Sequence, residues 1–168
     1  MKPAASTITT ESELDALYGT VSERSRNKVR SELTPAMQDW LGCSSLVIVA
    51  TSGESGLDCS PRGDAPGQLV RHLDLKTLVL PDRRGNNRID SLRNLINDSR
   101  IGLLFLVPRA TCALRVRGRA RITTEPTLLE AFVLEGEAPR TVIEVRVEQA
   151  LMQNARALFR SGFWAGEI

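Results

Sequence analysis

Residues 80–94, Leu80-Pro-Asp-Arg-Arg-Gly-Asn-Asn-Arg-Ile-Asp-Ser-Leu-Arg-Asn94, leave an apolar run that ends at Leu80 and enter an amphipathic helix through a loop dense in Arg, Asn and Gly. The first N–H groups of a helix are unpaired and carry partial positive charge, so Arg83, Arg84 and Arg88 beside them make a cradle for an anion or phosphate. Upstream, Ser60-Pro-Arg-Gly-Asp64 brings a further hydroxyl and guanidinium to the same end of a sheet. Together the two stretches point to a phosphorylated ligand. The spacing leaves a second reading open. Gly85, Asn86 and Asn87 tolerate positive φ, and would then form an ordinary turn with solvated arginines around it.

Composition narrows the class. A chain of 168 residues with 42% hydrophobic content suits one domain that buries its own core without staples. The longest apolar stretches, 44–50 and 101–108, are too short to span a bilayer, and the first residues lack the apolar centre of a signal peptide. The expectation is a cytoplasmic protein that does not engage the membrane. Cys43, Cys59 and Cys112 are widely spaced and His72 is the single histidine, so no zinc site is expected and the cysteines read as small core residues. A net charge of +2 does not indicate nucleic acid, although the arginines are locally concentrated.

Along the chain, helices sit at the edges and strands in the middle. Residues 9–18 carry capping residues, apolar Leu14 and Leu17 and a stop at Gly19; Thr34 and Pro35 open a second helix that Gly42 is expected to close. Residues 1–33 thus read as a helical extension and 34–168 as the main domain. Strand patterns follow in LVIVAT, LDCSPR, QLVRHL and TLVLPD, predicted as an antiparallel meander. A helix over 89–98 leads to IGLLFLVP and ALRVRGRARITT, then to a helix over 125–136, the strand TVIEVRVEQAL and a last helix over 153–164. The count is about six strands.

Arg115, Arg117, Arg119 and Arg121 recur at every second residue and share one strand face, opposite Leu114, Val116, Ala120 and Ile122. Most of them read as a solvated outer face whose stems cover apolar surface, with Arg115 the exception expected to meet an anion or a partner subunit. No hydrolytic motif is present: there is no G-x-S-x-G, H-E-x-x-H or Walker loop, and the catalytic residue is unknown. Asp58, Asp64, Asp82 and Asp90 are candidates for Mg²⁺, but arginines in the same segments compete for them. A firm phosphate site with few acids, bases or nucleophiles suits a cofactor that brings its own chemistry.

The succession ATSGESGLDCSPRGD, TLVLPDRRGNNRIDSLRNLINDSRIGLLFLVP and LRVRGRARITT resembles the pyridoxamine 5′-phosphate oxidase-like family of FMN-binding split-barrel proteins, from about Trp40 to the last helix. The resemblance implies a mainly β fold with flanking helices: a six-stranded antiparallel Greek-key split barrel, homodimeric, with FMN at the subunit interface. It places Ser60 and Arg62 beside the flavin, with Arg62 reaching toward its phosphate, and Asn86, Asn87, Arg88 and Ser91 around the phosphate and ribityl chain. Arg83 and Arg84 are basic enough to join them. Pro81 and Asp82 would meet the isoalloxazine edge, and Arg160 and Trp164 of the other subunit would cover the ring.

Two departures limit the inference. The oxidase itself carries a C-terminal R-L-x-P-type segment that grips its substrate, whereas FWAGEI stands here, so vitamin B6 oxidation is not expected. Gln153 and Asn154 stand where the related subgroup has a His-Cys pair. The implied activity is transfer of a hydride or electrons between a reduced nicotinamide and a small acceptor. The alternatives are a non-catalytic flavin carrier, a haem or deazaflavin binder on the same barrel, and a polyanion-binding module using the Arg115–Arg121 face. With no G-x-G-x-x-G fingerprint, the cofactor expected is FMN and not FAD. Mass spectrometry of the ligand released on heating checks this, and copurified FAD would refute it.

Overall fold

Apolar side chains at every second position build the long strands of this chain, and the pairing of those strands decides where its loops converge. The computed structural model describes residues 7–54 and 56–163. In chain order the elements are α1 (Glu11–Tyr18), α2 (Glu23–Arg26), α3 (Pro35–Cys43), β1 (Leu46–Gly53), β2 (Gly56–Gly63), β3 (Arg71–Asp74), β4 (Thr77–Asp82), α4 (Asp90–Asn97), β5 (Arg100–Leu106), β6 (Cys112–Thr123), α5 (Pro126–Glu130), β7 (Thr141–Asn154) and α6 (Arg156–Arg160). The strands form one antiparallel sheet in the order β2-β1-β5-β6-β7-β4-β3. It is a mainly β fold with flanking helices. The sheet has seven strands and does not close, where about six were counted from the sequence; each of the seven strand patterns falls on one strand, β3 being the shortest.

The expected meander breaks in the middle. β1 pairs with β2 and β3 with β4, but β2 and β3 lie at opposite edges of the sheet. The cause is long-range burial. β4 sets Leu78 and Leu80 opposite Val145 and Ile143 of β7, and β1 sets Val47 and Val49 opposite Phe105 and Leu103 of β5. All eight side chains are buried in the core. A local β2–β3 ladder offers nothing comparable, because Arg71, His72, Leu73 and Asp74 of β3 are all exposed.

Two close approaches set the curvature and the place of α4. At Gly118 the β6–β7 register shifts, so that Glu148 is an extra residue on β7, and a Cβ on Gly118 would run into the Arg146 carbonyl. At Gly53 a Cβ would occupy the space of the Asn94 amide, whose Nδ2 donates to Thr51 Oγ1 at 3.0 Å. That bond seats α4 on β1, with Ser91, Leu92 and Leu95 buried. Just past α4, bonds from the Arg100 side chain and backbone hold the Asp98 carboxyl down at about 2.

The helices differ in length from their sequence patterns. The capping box of Thr10 and Glu13 opens α1 and Gly19 closes it, but α1 buries no residue. Thr34 caps α3 as expected, yet the helix runs through Gly42 to Cys43. α5 stops at Glu130, where Phe132 turns into the core and Leu134 bridges to Glu137. Gln153 and Asn154 belong to β7, because β6 keeps pairing as far as Cys112 with Asn154; α6 is correspondingly short. Trp164 lies outside the described residues. Leu33 is buried in the core, and Arg30 exchanges two backbone bonds with Ala150.

The cysteines are not core residues. Cys43 and Cys59 are exposed and Cys112 is half-buried, all as free thiols. Strand alternation explains Cys59, since its neighbours Asp58 and Ser60 take the inward positions of β2. Gly118→Ala is expected to destabilise the protein by about 2–3 kcal/mol through backbone overlap at the bulge, measured by urea denaturation.

Candidate functional site

Alternation along β2 builds one wall of a cleft. Asp58, Ser60, Arg62 and, just past the strand, Asp64 turn to one side, while Leu57, Cys59 and Pro61 turn to solvent. The facing wall is the end of β4 and the loop that follows it. The cleft has a volume of about 660 Å³ and unites Ser60, Arg62, Pro81, Asp82, Arg83, Arg84, Asn86, Asn87, Arg88 and Ser91, ten of the residues singled out from the sequence. Arg115 and Arg160 are not in its lining. Arg115 is half-buried between Leu104 of β5 and Leu151 of β7.

Side chains from distant segments interlock here. Arg62 Nη1 donates to Asp82 Oδ1 at 2.5 Å, and Arg83 Nε donates to Asp64 Oδ2 at 2.8 Å. The same guanidinium reaches the Phe132 carbonyl through Nη1 at 2.6 Å, so Arg83 pins three segments together. Ser91, buried in the first turn of α4, donates to Asp58 Oδ2 and lies 3.3 Å from Ser60 Oγ. Arg88 is bound to Asp90 at 2.8 Å, but this pair is far more exposed than the other two. Three of the four aspartates weighed as metal ligands are therefore held by arginine, and Asp58 accepts from Ser91.

The α4 terminus opens on the cleft without a side-chain cap. Asn86 Oδ1 accepts from the Arg88 N–H, and Asn87 and Ile89 take φ of 61° and 51°. Positive φ at a β-branched residue is rare and strained, and such strain concentrates at ligand clamps. Gly85, expected to supply the turn, is not in the positive-φ region.

The donor set tests whether a phosphorylated cofactor fits. Five arginines and four aspartates line the cleft, and Arg84 and Arg140 have no acidic partner among the described residues. Arg62 Nε and Arg83 Nη2 are buried without a hydrogen-bond partner among the described residues. Buried N–H groups are rarely left unpaired, so these donors fit an oxyanion ligand. Sequence reasoning missed Arg140. It lies far from the loop in sequence, and no motif marks it.

The outer arginine face divides. Arg119 reaches Glu148 at 3.2 Å and Arg121 reaches Glu144 at 2.8 Å, both solvent-exposed, so cross-strand acids neutralise one half of the row.

The fold is that of a split-barrel protein whose cleft is lined by anion-directed donors. Residues 33–154 match the family described as pyridoxamine 5′-phosphate oxidase, and the chain belongs to that family. No curated protein matches the sequence. Among solved structures, HupZ of Group A Streptococcus is 24% identical, with a TM-score of 0.57 over 73% of this chain and 95% of HupZ. A protein given the pyridoxamine 5′-phosphate oxidase name from Lactobacillus delbrueckii is 16% identical, with a TM-score of 0.53 over 73% of this chain and 95% of its own. Another from Listeria innocua is 15% identical, with a TM-score of 0.53 over 71% and 97%. These three share the fold.

In ligand-free protein, Asp82→Ala is expected to cost about 1–3 kcal/mol, because it strands the half-buried Arg62 guanidinium. Removing Arg119 from its exposed pair should change stability by less than about 0.5 kcal/mol. Urea denaturation of both variants checks the contrast.

Proposed function

We propose that the chain binds FMN in the β2–β4 cleft and transfers a hydride or electrons between a reduced nicotinamide and a small acceptor. The observation that carries this reading is the uncapped α4 terminus facing a cluster of arginines with unsatisfied N–H groups. Arg84 and Arg88 would hold the phosphate. Arg84 has no acidic partner among the described residues, and the Arg88–Asp90 pair is exposed, so exchanging it for a phosphate costs at most about 1 kcal/mol. The half-buried pairs of Arg62 and Arg83 position the walls and leave each guanidinium one unsatisfied N–H for the ligand, and Ser60 and Ser91 present hydroxyls between them. Bound FMN would supply the two-electron chemistry, and the protein its orientation and surroundings.

A second copy would complete the site. Ala50, Leu57 and Cys59 are exposed on the outer face of β1 and β2, beside half-buried Ile48 and Leu104, an apolar surface that a homodimer would cover. Cofactor and dimer would then be linked by mass action.

The visible spectrum of the purified protein separates flavin from haem or no chromophore. Arg88→Ala is expected to weaken FMN binding by about 1.5–3 kcal/mol, and Arg119→Ala to leave it nearly unchanged, in a flavin fluorescence titration. Equal affinities would overturn the phosphate placement. Light scattering with absorbance on a size column should find dimer and flavin together; a monomer that retains stoichiometric flavin would refute the shared site.

A further inference from the structure

Helix α1 has every local signal of a helix but buries no residue. Thr10 and Glu13 form its capping box, Gly19 closes it, and Leu14, Leu17 and Tyr18 fall at i, i+3 and i+4 on one face. Those three side chains are 43%, 67% and 84% exposed. A helix of eight residues is marginal in water by itself and draws its stability from packing an amphipathic face, so α1 needs a surface that its own chain does not give it. Acids border the apolar stripe. Glu13 is engaged in the capping box, whereas Glu11 and Asp15, four residues apart on one side of the stripe, have no cationic partner among the described residues.

The outer face of the sheet offers the complement. Register aligns Ile48, Leu104, Arg115 and Leu151 in one row across β1, β5, β6 and β7, and Ala50, Gly102, Arg117 and Gln149 in the next. Ile48, Leu104 and Leu151 are half-buried and Ala50 is exposed, while Gly102 leaves the second row low beside Arg117. Cross-strand acids neutralise Arg119 and Arg121, but Arg115 and Arg117 have no acidic partner among the described residues.

We infer that α1 of a second copy lies along β6 on this face, with its apolar stripe over Ile48, Ala50 and Leu104 and with Glu11 and Asp15 against Arg115 and Arg117. The spacings agree. Residues four apart on a helix advance about 6 Å, and residues two apart on a strand advance about 7 Å, so two acids meet two guanidiniums and the charges balance. The tether permits the exchange: residues 19–29 join α1 to Arg30, which is bonded to the edge of β7 at Ala150, and they reach on the order of 30 Å. In a two-fold dimer each copy then gives its helix to the other. The inference rests on the homodimer proposed above, whose covered surface it assigns to α1, and not on the flavin.

Charge reversal tests the exchange, with the dimer dissociation constant of the full chain measured by sedimentation equilibrium. Leu17→Asp, Asp15→Arg and Arg117→Glu are all exposed substitutions that leave the core untouched, and each is expected to weaken the dimer about tenfold. Mixing decides between copies. In a heterodimer of the Asp15→Arg and Arg117→Glu proteins, Arg at 15 meets Glu at 117 and Asp15 meets Arg117, so the mixture should associate with nearly wild-type strength although neither variant does so alone. A mixture no tighter than the separate variants, with recovery only when both substitutions share one chain, would place α1 on its own sheet and overturn the proposal. A wild-type dimer that Leu17→Asp leaves unchanged would overturn it too, while the homodimer stands. A wild-type protein that stays monomeric at every concentration would remove the homodimer and the exchange together.

Discussion

Two reciprocal ion pairs hold together a barrel that its backbone leaves open. β2 and β4 share no ladder, yet Arg62 of β2 binds Asp82 of β4, and Asp64 just past β2 binds Arg83 just past β4. Each segment gives one cation and one anion to the other. Reversing the sign between the two rungs fixes the register of the crossing, since a slip of one residue would oppose like charges. Arg83 extends the lacing to the Phe132 carbonyl, and so brings the segment after α5 against the same seam.

The lacing also creates the chemistry of the cleft. A guanidinium has five N–H donors, and one carboxylate in half-buried surroundings satisfies only some of them. Arg62 and Arg83 are oriented by their aspartates and left with an unsatisfied N–H each. The carboxylates that hold the walls therefore do not cancel the site's capacity for anions. They fix its donors in place, which is the preorganisation that binding an oxyanion requires. Exposed Arg88, whose pair with Asp90 is weak, can turn wholly to a ligand, whereas Arg62 and Arg83 offer the one N–H that their aspartates leave unsatisfied.

Strain at the loop fits the same division. Asn87 and Ile89 adopt left-handed conformations immediately before α4, and the helix begins without a side-chain cap. An Asp, Ser or Thr at the cap position would occupy the N–H groups that an external anion needs. Ile89 cannot, so the terminus stays open.

The sequence alone determined the local features. Runs of apolar and β-branched residues marked β1 and β7, period-two alternation marked the face of β6 that carries Arg115 to Arg121, the Thr-Pro start marked α3, and the Asn-rich loop before α4 marked the anion cradle, because each depends on residues a few positions apart. The family resemblance carried the barrel fold, and ten of the thirteen expected site residues do line one cleft. What tertiary structure decided was pairing over long separations. It sent β3 to the far edge because β4 finds an apolar partner in β7, extended β7 through Asn154 because β6 continues beside it, and turned Cys59 outward. It also assigned the arginines: whether a guanidinium is free depends on which aspartate lies across the fold, and no spacing within one segment records that Arg62 meets Asp82 while Arg140 meets no acid among the described residues.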